Sequence, residues 1–293
     1  MNDTAGTANA AAVRRAPGAG VELLRFFLLG AIAVALLSTI QPPMGWWPLA
    51  LFALTPWAVA ICRTQRAWLV YWGSFLLAWA YFLINLAWLG PVTGLGFVAL
   101  AFYLAMYWPL AAWAIRTARR AGIEPAWSLP VVWIACEYLR GVMFTGFPWL
   151  FLSHAFYKFT TLIQISDITG AWGVSFVVAL VNGMFAQLGL RWWRGGDRRA
   201  GVAAALIPIG VTLLVLVAVL WYGKMRLDES DFQNGPRVAV VQEDFPLTST
   251  PPYSEHPYVV LARYLKMAAA AAAEKPDLLV LPETAWQGYQ NVG

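Results

Sequence analysis

The stretch AWLVYWGSFLLAWAYFLINLAWLGPVTGLGFVALAFYLAMYWPLAAWAI, residues 67 to 115, contains no charged side chain. A helix that crosses a membrane needs about 20 predominantly apolar residues, so this stretch is too long for one span. Gly90, Pro91 and Gly94 interrupt it near its middle, where a turn is expected. The stretch therefore predicts two membrane spans joined by a short turn.

Clusters of arginine divide the rest of the first 223 residues into comparable blocks. They lie near residues 14 to 25, 63 to 66, 116 to 120 and 191 to 199. The apolar blocks between them predict about seven spans: two within residues 26 to 62, two within 67 to 115, and one each near 127 to 143, 172 to 190 and 202 to 222. Residues 144 to 171 are too polar for a lipid-facing span, so we expect surface or re-entrant structure there.

The composition agrees with a membrane protein. Hydrophobic residues make up 60% of the chain and charged residues 12%, with a mean hydropathy of +0.60, whereas soluble domains carry roughly 25% charged residues. The net charge of +5 comes from short clusters rather than a continuous basic face, so no nucleic-acid partner is expected. The two cysteines, Cys62 and Cys136, cannot build a disulfide framework or a metal site, and nothing indicates a cofactor.

The arginine clusters also predict the orientation of the chain. Positively charged loops stay in the cytoplasm, so residues 1 to 21 are expected to be a cytoplasmic tail. Residues 22 to 223 then form the transmembrane domain, 224 to 236 a linker, and 237 to 293 an extracytoplasmic domain. Most of the fifteen acidic residues lie at or beyond Asp228, in agreement with two parts of different character.

The last part has the pattern of an α/β domain. Two short apolar runs, at residues 237 to 242 and 277 to 281, flank an Ala- and Leu-rich helix expected from about Pro257 to Glu274. Strand, helix and strand at this spacing predict a crossover between parallel strands. Two strands and one helix cannot bury a core, so we expect residues 237 to 293 to be an incomplete domain.

Glu283 is the candidate general base. It lies in Leu281-Pro282-Glu283-Thr284, after the second predicted strand, and α/β sheets place working groups at the carboxyl ends of their strands. An acidic helix N-terminus or a surface loop is the alternative interpretation. Gln242 and Asp244, after the first predicted strand, are expected beside Glu283.

Polar and aromatic side chains in the membrane part are further candidates. Glu137 and Arg140 are three residues apart on one predicted helix, so they can share a face. They either stabilise the bundle as a pair or contact a phospholipid head group. Trp149 and Trp172 either anchor the protein at the interface or line an entry for acyl chains. Polar residues within spans, Asn85 and Asn182, are expected to form hydrogen bonds between helices.

Several motifs carry a family resemblance. The membrane part contains EYLRG at 137–141, TGFPW at 145–149, and ISDITG at 165–170 leading into WGVSF at 172–176. With these motifs it resembles the apolipoprotein N-acyltransferases. Residues 237 to 293 resemble the start of a carbon-nitrogen hydrolase (nitrilase) domain, so the resemblance implies a polytopic helical membrane domain followed by the start of an αββα sandwich.

The resemblance also implies a site of Glu, Lys and Cys, in which Glu283 matches the Glu. The Cys would form a thioester with an acyl chain from a phospholipid and pass it to the N-terminal amine of a diacylglyceryl-cysteine lipoprotein. The implied location is the bacterial inner membrane, with a periplasmic catalytic domain. Where the family often has Gly and a Lys-Trp pair, this chain has Glu243 and Pro251-Pro252-Tyr253, so Tyr253 is a candidate substrate contact.

The matching Lys and Cys do not occur in this sequence, so we expect a C-terminally truncated chain that is inactive by itself. Two alternatives remain open. One is a membrane-tethered amidohydrolase that releases the acyl group to water. The other is a non-catalytic membrane scaffold.

Overall fold

The computed structural model describes residues 18–194, 198–230, 233–243 and 257–282. The chain divides into two compact units. Of the described residues, the first unit, which we call the membrane unit, contains 18–87, 96–194 and 198–227. The second, the C-terminal unit, contains 88–95, 228–230, 233–243 and 257–282.

Helices make up the membrane unit. Its α-helices are α1 Ala19–Thr39, α2 Thr55–Arg63, α3 Ala67–Asn85, α5 Leu95–Ala105, α6 Tyr107–Arg120, α7 Pro125–Val142, α8 Thr160–Ile163, α9 Ser166–Arg194 and α10 Arg198–Leu227. The short helix α4, Gly90–Thr93, precedes α5 in the chain and belongs to the C-terminal unit. Short 3-10 turns lie at Trp47–Leu51, Ala87–Leu89, Met143–Thr145 and Leu152–Phe156.

Five helices in the described part of the chain are long and apolar enough to cross a membrane. They are Ala19–Thr39, Ala67–Asn85, Leu95–Arg120, Ser166–Trp193 and Ala205–Leu227. The predicted second span corresponds to the shorter apolar helix Trp47–Arg63, and the predicted fifth to α7, which carries Glu137 and Arg140. A multi-pass membrane protein is therefore supported, and the count of seven spans stays a prediction.

Close approach between helices depends on glycine. A Cβ on Gly30 of α1 would meet the side chain of Leu77 of α3, and a Cβ on Gly73 of α3 would meet the ring of Phe26 of α1. Between α7 and α9, a Cβ on Gly183 would lie 2.6 Å from the carbonyl oxygen of Pro125. Small residues at such contacts let helix backbones approach closely. Within a bilayer the hydrophobic effect does not drive helices together, so this close packing contributes to their association.

Asn182 and Asn85 join helices through hydrogen bonds, as predicted. The Oδ1 atom of Asn182, on α9, accepts from the backbone N–H groups of Leu54 at 2.8 Å and Thr55 at 3.1 Å, where α2 begins. Its Nδ2 donates to the carbonyl oxygen of Ala50 at 2.8 Å. Asn85, on α3, donates to the hydroxyl of Ser38 on α1 at 2.9 Å.

The polar stretch predicted at residues 144 to 171 divides into two parts: residues 144 to 165 form turns and one short helix, and residues 166 to 171 are the beginning of α9. The described elements of the first part are the two 3-10 turns at Met143–Thr145 and Leu152–Phe156 and the four-residue helix α8. Residues 144 to 165 are thus not a spanning helix, whereas residues 166 to 171 belong to Ser166–Trp193, one of the helices long enough to cross a membrane, so the predicted boundary at 171 is wrong. The depth of residues 144 to 165 relative to a bilayer remains a prediction.

The C-terminal unit contains the predicted strand, helix and strand. Strand β1, Val238–Val240, pairs in parallel with β2, Leu278–Val280, and helix α11, Pro257–Ala272, lies between them in sequence. The N–H of Arg237 donates to the Asp277 carboxylate at 2.8 Å, just before each strand begins. The parallel crossover is thus confirmed, and a nitrilase-like sandwich remains a prediction.

Candidate functional site

The three membrane motifs come together in the folded chain. Helix α7 carries the first, the segment from 145 to 153 contains the second, and α9 carries Ser175 of the third. The Ser153 N–H donates to the Ser175 hydroxyl oxygen at 3.0 Å, and the Leu152 N–H donates to the Glu137 carboxylate at 2.9 Å. We call residues 137–153 together with Ser175 the motif cluster.

Two glycines form the turn that folds this segment back over α7. Gly146 has φ of 81°, which side chains rarely adopt, and a Cβ there would collide with the carbonyl oxygen of Gly141. The N–H of Phe147 then donates to the Arg140 carbonyl oxygen at 2.8 Å. This contact explains the glycine at 146, whereas a Cβ on Gly141 would lie 3.3 Å from the Phe151 ring.

Glu137 binds the segment that folds back over α7. Its side chain is almost completely buried, with 2% of its surface exposed. The Oε1 atom accepts from the indole N–H of Trp133 at 2.9 Å as well as from the Leu152 N–H. Glu137 thus links α7 to a backbone position fifteen residues further along the chain.

Arg140 contacts the same segment. It is 5% exposed, and its guanidinium donates to the Leu150 carbonyl oxygen at 3.4 Å and lies 4.9 Å from the centre of the Phe151 ring. Among the described residues Glu137 and Arg140 form no direct ion pair. Instead of neutralising each other by contact, both side chains hold the backbone of residues 150 to 152.

A small cavity of about 30 Å³ adjoins both side chains. Apart from Glu137 and Arg140, its polar lining consists of Gln41, Tyr81 and Tyr107. The volume suits about one water molecule. Sequence reasoning missed these three residues, although a Gln and two Tyr in otherwise apolar stretches were a signal that could have found them.

Arg140 also affects His154 at the edge of the cluster. Partial burial, together with the positive charge of Arg140, lowers the pKa of the His154 imidazole below its usual range. The imidazole is therefore neutral at neutral pH, and the cationic side chain inside the cluster is Arg140.

Aromatic side chains lie on the outer side of the cluster. Trp149 is 52% exposed, and its ring stacks with that of Phe147 at a centroid separation of 6.3 Å. Trp172 packs against Tyr138 at 5.2 Å. Exposure of Trp149 is compatible with either predicted role, an interfacial anchor or an acyl-chain contact.

Three predicted site residues, Glu283, Tyr253 and Asp244, lie outside the described residues. Gln242 follows β1 and is exposed. The neighbouring Glu243 forms an ion pair with Arg263 of α11 at 3.0 Å.

The two cysteines lie in membrane-unit helices. Cys136 is buried, and its thiol contacts the Tyr107 carbonyl oxygen at 3.7 Å; Cys62, in α2, is partly buried. Within the described ranges no three His, Cys, Asp or Glu side chains are grouped as a metal site would require.

Comparisons with known proteins agree with the motifs. Residues 33–184, which include the motif cluster, match the family model described as the apolipoprotein N-acyltransferase N-terminal domain. The apolipoprotein N-acyltransferase of Geobacter metallireducens is 31% identical over 279 residues, covering 90% of this chain and 52% of the relative. The apolipoprotein N-acyltransferase of Rhodopirellula baltica is 30% identical over 266 residues, covering 84% of this chain and 46% of the relative. This chain spans about half the length of the curated relatives it matches, and it belongs to the apolipoprotein N-acyltransferase family.

Proposed function

We propose that this chain contributes the membrane domain, and the beginning of the catalytic domain, of an enzyme that N-acylates lipoproteins. The acyl donor would be a membrane phospholipid, and the acceptor the N-terminal amine of a diacylglyceryl-cysteine lipoprotein. The observation that carries the proposal is the family match over residues 33–184, which contains the motif cluster. The relatives are apolipoprotein N-acyltransferases, and they supply the reaction class.

Glu283 is proposed as the general base. Its carboxylate would take the proton of a cysteine thiol, and the thiolate would attack the ester carbonyl of the phospholipid. The protonated Glu283 would give its proton to the leaving oxygen, so that the lysophospholipid leaves as an alcohol. The lipoprotein amine would then attack the thioester and lose a proton to the Glu283 carboxylate, forming the amide and releasing the thiolate, with a lysine stabilising each oxyanion.

The residues of this chain do not by themselves complete that mechanism. Its two cysteines lie in membrane-unit helices, and Cys136 is buried. We therefore propose that the 293-residue chain alone does not transfer acyl groups.

The membrane unit is proposed to gather the lipid substrates. Both substrates carry acyl chains, so a catalytic domain tethered to the bilayer meets them at raised local concentration and in a fixed orientation. Exposed Trp149, with Phe147 beside it, is the proposed contact for an acyl chain, and Tyr253 a second substrate contact. Glu137 and Arg140 would act through the segment they hold, by positioning Trp149.

The proposed location is the bacterial inner membrane, with the N-terminus in the cytoplasm and the catalytic side in the periplasm. Support comes from the arginine clusters at 63–66, 116–120 and 191–199, which recur after every second predicted span.

The two alternatives have less support. A tethered amidohydrolase would share the Glu and its strand, but the relatives are named for N-acyl transfer. A non-catalytic scaffold would bind lipid without turnover.

The test compares the 293-residue protein with the product of the whole reading frame. Each is given a phospholipid with a labelled acyl chain and a diacylglyceryl peptide, and the triacylated peptide and free fatty acid are quantified. We expect transfer only by the longer product, and its loss in Glu283→Gln. Transfer by the 293-residue protein would contradict the proposal; free fatty acid as the main product would favour the amidohydrolase, and no turnover the scaffold.

Trp149 is tested in the same assay. Trp149→Ala should raise KM for the phospholipid, while Trp149→Phe, which keeps an aromatic face, should change it little. An unchanged KM in Trp149→Ala would remove Trp149 from the substrate site.

A further inference from the structure

A second, larger cavity lies at the arginine-rich end of the membrane unit, between α1, α2 and α9. Its volume is about 230 Å³. Arg25 of α1, Arg63 of α2 and Trp193 of α9 line it, together with apolar side chains that include Phe26, Leu29 and Val59. The cavity therefore has a cationic part and an apolar part.

The described residues supply no counter-ion for the cationic part. Within the described part of the chain, no carboxylate lies within ion-pair distance of Arg25 or Arg63. Glu22 also lines the cavity, but its carboxylate is engaged by the Arg66 guanidinium and by the backbone N–H groups of Gln65 and Arg66. Glu22, the acidic side chain among the described lining residues, is thus already satisfied.

The two arginines line the same cavity. Like charges held in one partly buried site are stabilised by a bound anion. The Arg63 guanidinium stacks on the Trp193 ring at 3.8 Å from the centroid. Stacking fixes the plane of the guanidinium and leaves its N–H edge available, the geometry that suits bidentate contact with a phosphate.

The surroundings place the cavity at the level of lipid head groups. Trp192, beside the cavity, is 90% exposed, and Trp68, at the same end of the unit, is also exposed. Tryptophan is enriched at membrane–water interfaces. A phosphate near Arg25 and Arg63 would leave the apolar wall of Phe26, Leu29 and Val59 for an acyl chain.

We propose that this cavity binds an anionic phospholipid of the leaflet on the arginine-rich side, with its phosphate between Arg25 and Arg63 and an acyl chain along Phe26, Leu29 and Val59. The apolar wall favours a lipid over free phosphate, which would leave that wall unused. Two cations without a counter-ion among the described residues favour a lipid with net negative charge over a zwitterionic one. Basic pockets between membrane helices recognise head groups in this way.

The test measures lipid retention by native mass spectrometry of the detergent-purified chain, titrated with phosphatidylglycerol or phosphatidylcholine. We expect tighter binding of phosphatidylglycerol, weakened about fivefold by Arg25→Gln and by Arg63→Gln. Arg120→Gln is the matched control, because Arg120 is an exposed arginine of the same charged end and does not line the cavity. Equal weakening in all three variants would overturn the proposal, because a general surface charge would then explain the binding.

Two further measurements test whether the ligand is a lipid rather than free phosphate. Val59→Phe fills the apolar wall and keeps both charges, so it should weaken lipid binding while the circular dichroism spectrum stays unchanged. Inorganic phosphate at millimolar concentration should not displace the lipid. Full displacement by phosphate, or unweakened binding in a folded Val59→Phe protein, would overturn the lipid assignment.

Discussion

Two substitutions of Glu137 distinguish the stability that comes from its hydrogen bonds from the stability that comes from its charge. Glu137→Leu removes the acceptor of two N–H groups, the Trp133 indole and the Leu152 backbone, each at 2.9 Å and each buried. A buried donor left without a partner costs about 1–3 kcal/mol, so the two together predict a loss of about 2–6 kcal/mol in the free energy of unfolding. Glu137→Gln keeps an oxygen acceptor for both donors, and we expect it to lose only about 1–2 kcal/mol.

The assay is unfolding of the purified protein in mixed micelles by increasing SDS, followed by circular dichroism. Limited proteolysis between residues 143 and 151 reports in parallel whether the segment over α7 has loosened, which we expect in Glu137→Leu only. Glu124→Leu is the matched control, because Glu124 precedes α7 and its side chain makes no capping hydrogen bond. Equal losses in Glu137→Gln and Glu137→Leu would refute the reasoning, since the charge rather than the two hydrogen bonds would then hold the segment.

Two further comparisons test other contacts of the fold. Asn182→Leu removes four hydrogen bonds to the segment around the start of α2, and Asn85→Leu removes one to α1. At about 0.6 kcal/mol for each hydrogen bond, SDS unfolding should show the free energy of unfolding reduced by about 2.4 kcal/mol in Asn182→Leu and by about 0.6 kcal/mol in Asn85→Leu. Equal losses in the two variants would contradict the assignment. Gly146→Ala should cost more than about 3 kcal/mol, because its Cβ meets the Gly141 carbonyl oxygen. Gly94 also has a positive φ, of 55°, but open space around it, so Gly94→Ala should cost about 1–2 kcal/mol. Similar thermal midpoints for both variants would show that backbone strain alone matters.

Sequence patterns predicted the elements of the membrane unit because length and hydropathy are local properties. The uncharged stretch from 67 to 115 and the arginine clusters were sufficient to predict the helices there. The interhelical roles of Asn85 and Asn182 followed from the same logic, since an amide within an apolar helix needs a partner on a neighbouring one.

The arrangement of the motif cluster was less accessible. The spacing of Glu137 and Arg140 predicted that they share a face, and they do, but it also suggested that they pair with each other. Their actual partners lie at residues 150 to 152, and they reach them because of the turn at Gly146. The tertiary fold determines which backbone groups of residues 150 to 152 face α7. The periodicity of the sequence contains no information about the tertiary fold.

The packing of α1 against α3 has a consequence for how these sequences change over time. Gly30 accommodates Leu77 and Gly73 accommodates Phe26, so each helix supplies one gap and one side chain that fills the other's gap. A larger residue at 73 would meet the ring of Phe26, and one at 30 would meet the flexible end of the Leu77 side chain, so we expect either change to be accommodated best where the opposing residue has become smaller. Substitutions at positions 26 and 73, and at positions 30 and 77, should therefore be inherited in pairs. A homologue with a large residue at the glycine position and glycine at the facing position would keep the same distance between the two helices.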